Sequence, residues 1–168
     1  MEELVKNFSK YHIIETLIPG FTFMILFDLL IIEFKNVDIF TMTVLAYFIG
    51  TIISRISSVL TKKVLFKLTK EKGVEYSDYI RATKKDSKID ELAVDKNLYR
   101  NLTTVCAILL ISKIVKTTKI IAKTNTDLII ILILLFLMIL FCISFININS
   151  RIIKRVKITN TKKGKVKD

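Results

Sequence analysis

Between Leu128 and Ile146 the chain runs through nineteen residues of almost unbroken Leu, Ile, Phe and Met. A helix rises about 1.5 Å per residue, so such a stretch nearly spans the roughly 30 Å hydrocarbon core of a bilayer. Lipid offers no partner for an unpaired backbone group, and a helix satisfies all of its own. Two further apolar stretches, about Ile13 to Phe34 and Ile39 to Leu60, meet the same condition. With 52% hydrophobic residues and a mean hydropathy of +0.51 in 168 residues, the excess must face lipid rather than fill a soluble core. The prediction is an all-α integral membrane protein with four transmembrane helices.

The first two spans are joined by the short turn Lys35-Asn36-Val37-Asp38 and form an antiparallel hairpin over residues 1–60. Pro19-Gly20 lies near the start of the first span, where proline removes one backbone hydrogen bond and favours a kink. From Thr61 to Asn101 the chain turns polar, with eleven Lys or Arg against seven Asp or Glu. Val64, Leu65 and Leu68 continue a helical spacing towards Gly73, so the second helix is expected to project beyond the bilayer. Ser77-Asp78 and Ser87-Lys88-Ile89-Asp90 read as helix starts. Ile89, Leu92, Ala93, Lys96 and Tyr99 then share a face that would pack on the projecting second helix, giving a short cytoplasmic helical stalk.

The third span is the weak one. Its purely apolar part, Leu102 to Ser112, is too short to cross, so it must recruit Ile114, Val115, Ile120 and Ile121 from a segment holding Lys113, Lys116, Lys119 and Lys123. At 100° per residue those lysines fall in an arc of about 120°, opposite the aliphatic side chains. The second hairpin covers residues 102–147, and the tail, 148–168, carries eight Lys or Arg against one Asp and is expected to be disordered.

Orientation follows from the cations. The 61–101 connection and the tail hold nineteen of the 27 basic residues, whereas the first turn holds only Lys35, which puts both termini in the cytoplasm. The lysine arc at the outer end runs against this rule, and a two-span hairpin plus an interfacial segment is the alternative. A net charge of +12 is accounted for by these flanking segments without nucleic acid as a partner. Cys106 and Cys142 lie within apolar stretches and have no metal-ligand spacing, so neither a disulfide nor a metal site is expected.

No enzyme motif, cofactor loop or catalytic triad is present; His12 stands alone at the membrane edge, and Asp86, Asp90, Glu91 and Asp95 suit a solvated helix face. Ionisable groups inside spans are more informative, because each costs about 2.5–3.5 kcal/mol near the bilayer centre. Glu15 and Arg55 fall at one depth in the hairpin, either as an intramembrane ion pair or both reaching to headgroups. Asp28, nearer the middle, would line an aqueous path or bond Thr41, Thr43 or a neighbouring subunit, and Glu33 is interfacial. Ala46, Gly50, Ser54 and Ser58 form a small-residue stripe for close helix approach, within one chain or between copies of a homo-oligomer. The arc of Lys113, Lys116, Lys119 and Lys123 reads either as side chains reaching outer headgroups or as a basic wall of a pore.

The blocks Ile18-Pro19-Gly20-Phe21, Tyr47-Phe48-Ile49-Gly50, Ser54-Arg55-Ile56-Ser57-Ser58, Tyr79-Ile80-Arg81-Ala82, Lys85-Asp86-Ser87-Lys88-Ile89 and Asn97-Leu98-Tyr99-Arg100-Asn101, in that order, resemble a group of small multi-span bacterial membrane proteins associated with anti-phage defence loci. The resemblance covers about residues 11–105 and extends to the membrane subunit of the Kiwa system. It implies a bacterial cytoplasmic-membrane protein that senses infection at the envelope or permeabilises it as an effector, with a protein partner at residues 61–101. A small ion channel or transporter and a passive anchoring subunit are the rival expectations.

Overall fold

The computed structural model describes residues 2–31, 37–69, 74–119 and 125–161. All regular structure among them is helical: α1 (Glu2–Leu30), α2 (Ile39–Ile56), α3 (Lys62–Thr69), α4 (Tyr76–Thr83), α5 (Lys88–Lys119) and α6 (Asn125–Thr161), with a π-helical turn at Ser57–Thr61 joining α2 to α3. Four helices are long and apolar enough to cross a membrane, within Ile13–Leu30, Ile39–Lys67, Lys88–Thr117 and Thr126–Thr161. The chain is thus an all-α membrane protein with four candidate spans.

Local chemistry sets the helix starts. Asp38 is extended at ψ 154° and its carboxylate accepts the Thr41 N–H at 3.0 Å, which caps α2. At the start of α5 the acceptor is the Asp86 carboxylate, 3.1 Å from the Lys88 N–H, rather than the Ser87 hydroxyl that the sequence pattern suggested. The 29 residues of Ile39–Lys67 extend about 43 Å, and the 37 residues of α6 about 55 Å. Both are longer than the hydrocarbon thickness.

Two cores result. In the membrane bundle, Ile53, Val105, Leu109 and Leu134 are buried, with Phe23, Phe27 and Ile130 packed around them, so all four spans meet there. Beyond the bundle Ala82, Ile89, Ile152 and Val156 form a second core with Tyr79, Leu92, Ala93 and Ile148. This second core is the stalk, and α5 and α6 run unbroken from one core into the other.

Three expectations are corrected here. The tail placed at 148–168 is helical to Thr161 and buries Ile152, Ile153 and Val156, because Phe145, Asn149, Ile152 and Val156 recur at three and four residues, and Arg151, Lys154, Arg155 and Lys157 face outward. The division at residue 101/102 falls inside α5, whose polar first half and apolar second half make one rod. The Ile89 face packs on α4 and α6 rather than on the projecting second helix. Gly73 and residues 162–168 lie outside the described residues.

Candidate functional site

α1 and α2 approach each other closely. A Cβ on Gly20 would overlap the Ala46 carbonyl, and one on Gly50 would overlap the Thr16 carbonyl. Thr16, Gly20, Ala46 and Gly50 are all buried, so two small-residue steps of four interlock. The stripe on α2 therefore joins helices within the chain. Only its first half is used: Ser54 is half-buried and Ser58 is exposed.

Immediately towards the stalk, a polar seam replaces this apolar contact. Pro19 has no N–H, so the Glu15 carbonyl four residues earlier on α1 loses its helical donor. Asn101 of α5, fully buried, supplies one: its Nδ2 donates to the Glu15 carbonyl oxygen at 2.8 Å. The Asn101 Oδ1 in turn accepts from the Ser57 hydroxyl at 2.5 Å, at the first residue of the π-helical turn. Ser57 also lies 2.9 Å from the Ser54 carbonyl, but its single proton serves one acceptor at a time. Arg100 Nε donates to Ser57 Oγ at 3.1 Å. One turn away Thr61 and Thr104 hydroxyls meet at 2.8 Å, and Thr104 donates to the Arg100 carbonyl at 3.0 Å. The seam thus stitches α1, the π-helical turn and α5 through one buried and several part-buried hydrogen bonds, worth more where the medium cannot replace them.

Glu15 sits in this seam, but its partners differ from those predicted. Its carboxylate accepts from Asn97 Nδ2 at 3.1 Å, and the cation within its electrostatic reach is Arg100. Arg55 is exposed and makes none of the ion pairs found among the described residues. Equal depth in a hairpin fixes level and not azimuth, and Glu15 faces α5. Asn97, Arg100, Asn101 and Ser57 stand in the blocks that carry the resemblance but were given no role there, and Thr104 was not singled out; the signal that could have pointed to their role is the orphan carbonyl that Pro19 must leave.

At the opposite end of the bundle the two described lysines of the arc both have partners within the chain. Lys113 is buried, its side chain 8% exposed, and pairs with Asp127 of α6 at 2.7 Å, while Lys116 Nζ donates to the Ile31 carbonyl at 2.6 Å. A cation on the final carbonyls of α1 and a carboxylate in the first turn of α6 both suit the helix dipoles. The Lys119 side chain, Lys123, Glu33 and the His12 side chain lie outside the described residues. Asp28 is half-buried on α1; the Thr43 hydroxyl bonds the Ile39 carbonyl at 2.8 Å, and Thr41 caps on Asp38.

In the stalk, Arg155 pairs with Asp86 at 2.9 Å and Asn160 Nδ2 donates to the Asp78 carbonyl at 3.1 Å, which ties α6 to α4 and its connection to α5. The Tyr79 hydroxyl faces Asp90 at 3.4 Å; burial first, then the Asp90 charge, pushes it up to about 12, so it stays protonated. Cys106 and Cys142 are free thiols, and no group of three or more His, Cys, Asp or Glu among the described residues could hold a metal.

No family model, no curated protein and no solved structure matches this chain.

Proposed function

We propose that this protein is a membrane-embedded sensor or effector in which the polar seam is a latch between the stalk and the spans. The observation that carries the reading is that α5 and α6 pass unbroken from the stalk core into the bundle, with the seam at their entry. A rotation or shift of the stalk reaches Asn101 and Arg100 directly, and the α1 and π-turn partners of these residues are the bonds it would break. A buried network of this kind has a made and an unmade state rather than a continuum, as a switching element requires. A π-helical turn, a form that recurs at functional sites, gives α2 a place to change register. The service to anti-phage defence at a bacterial cytoplasmic membrane rests on the sequence resemblance over residues 11–105, and the cytoplasmic side of the stalk on the distribution of Lys and Arg along the chain.

The test is membrane potential in cells expressing the full chain, before and after phage challenge. The latch reading expects depolarisation or growth arrest only after challenge, and Asn101→Leu to remove that dependence. Depolarisation on expression alone would favour a constitutive channel. No response under either condition, in wild type and variant alike, would leave an anchoring role.

A further inference from the structure

Lys96 and Arg100 stand one turn apart on α5, and both are half-buried where the bundle meets the stalk. Arg100 has partners in Ser57 and, at longer range, Glu15. Lys96 has neither an acceptor nor a carboxylate among the described residues, and the charges acting on it are those of Arg100 and Lys62, both repulsive. Lys62 opens α3 with its ammonium 5.9 Å over the Phe66 ring, which packs edge-on against Phe145 of α6 at 6.1 Å. One turn further along α6, Asn149 is 4% exposed and its amide nitrogen has no acceptor. Lys96 thus has two cations beside it, and the one carboxylate that acts on the group, Glu15 on Arg100, is already bonded to Asn97. A half-buried ammonium held beside two other cations calls for an anion.

The depth of the cluster narrows what that anion is. Val59, Leu60 and Val64, on either side of Lys62, are exposed apolar side chains on the same rod. They mark the level at which acyl chains give way to headgroups, and basic pockets between helices at that level suit phosphate. We propose that Lys62, Lys96 and Arg100 form a binding site for a phosphate group, carried by an anionic phospholipid headgroup or by a free phosphate ester.

Native mass spectrometry of the full-length protein, released from mild detergent after incubation with phosphatidylglycerol, phosphatidylcholine or inorganic phosphate, tests this. Wild type should retain one phosphatidylglycerol in preference to phosphatidylcholine. Each surface cation contributes about fivefold to anionic-lipid affinity, so Lys62→Gln with Lys96→Gln should weaken retention on the order of 30-fold. Lys62→Arg with Lys96→Arg keeps the charges and should keep binding, and serves if the Gln variant fails to fold. Lys63→Gln with Lys67→Gln removes two cations of the same helix, exposed like Lys62 but not acting on Lys96, and should weaken retention clearly less than the Lys62/Lys96 pair. Displacement of phosphatidylglycerol by millimolar phosphate would assign the site to the phosphate itself; persistence would assign it to the lipid. Equal retention of the two lipids, or equal loss in the Lys63/Lys67 and Lys62/Lys96 variants, would overturn the proposal.

Discussion

Asn101→Ala should expose the defect that Pro19 builds into α1. In the native bundle the Glu15 carbonyl has no helical donor and receives Asn101 Nδ2 at 2.8 Å instead. Removing the amide leaves that carbonyl, and the Ser57 hydroxyl that Asn101 Oδ1 accepts, to find other partners. A buried group left unsatisfied costs about 1–3 kcal/mol, although interhelical hydrogen bonds measured inside membranes average about 0.6 and reach about 1.7 kcal/mol. Asn101→Ala is therefore expected to destabilise by about 1.5–3 kcal/mol, of which roughly half belongs to the carbonyl. Pro19→Ala restores an N–H four residues after Glu15, so in that background the same substitution should be milder by about 1 kcal/mol. A double-mutant cycle on unfolding in mixed micelles, followed by circular dichroism, measures this coupling. Strictly additive effects of the two substitutions would refute the idea that Asn101 stands in for the missing proline donor.

Further substitutions probe the other junctions. Gly50→Ala forces a Cβ onto the Thr16 carbonyl and should destabilise by about 1–3 kcal/mol in the same unfolding assay, whereas Ser58→Ala, on the exposed end of the stripe, should be near neutral. Lys113→Met strands the Asp127 carboxylate and should cost about 3 kcal/mol, with Lys113→Met/Asp127→Asn recovering most of it; equal loss in both would argue against the ion pair. Ile152→Ala or Val156→Ala opens the stalk core and should cost about 2 kcal/mol each, while Lys154→Ala on the outer face should fall within about 0.5 kcal/mol of wild type. A tail without structure would make all three indistinguishable. Acidification through the ordinary carboxylate range should fray the start of α2: Thr41 holds the Asp38 carboxyl below its usual value, so its capping is present at neutral pH and lost as pH falls, and Asp38→Asn should remove that dependence in amide exchange of residues 39–42.

The spans were legible because hydrocarbon tolerates only long apolar helices, and Leu128–Ile146 could be nothing else. The C-terminal half of α6 was not, because its four cations equal in number the apolar residues at 148, 152, 153 and 156 that carry the buried face. Reading that segment by composition hides a periodicity that only a partner helix gives meaning to. Arg55 was paired with Glu15 from depth alone, and azimuth decided in favour of Arg100. The Gly50 stripe was recognised as a packing surface, but its partner step, Thr16 to Gly20, was obscured by reading Gly20 together with Pro19 as a kink signal. The donor that answers Pro19 lies 86 residues in sequence from the Glu15 carbonyl it bonds, and a single sequence contains no rule that joins the two.

Sidedness of labelling measures the architecture most directly. Single cysteines at Tyr76 and Ile158, both exposed in the stalk, and at Asp38 and Thr126, exposed at the far end, can be placed in a background with Cys106 and Cys142 replaced by Ala. With four spans and a stalk shared by α4, α5 and α6, positions 76 and 158 should react with an impermeant maleimide from one side of sealed vesicles, and positions 38 and 126 from the other. Labelling of 76 and 158 from opposite sides would contradict the stalk, and with it the latch between stalk and membrane.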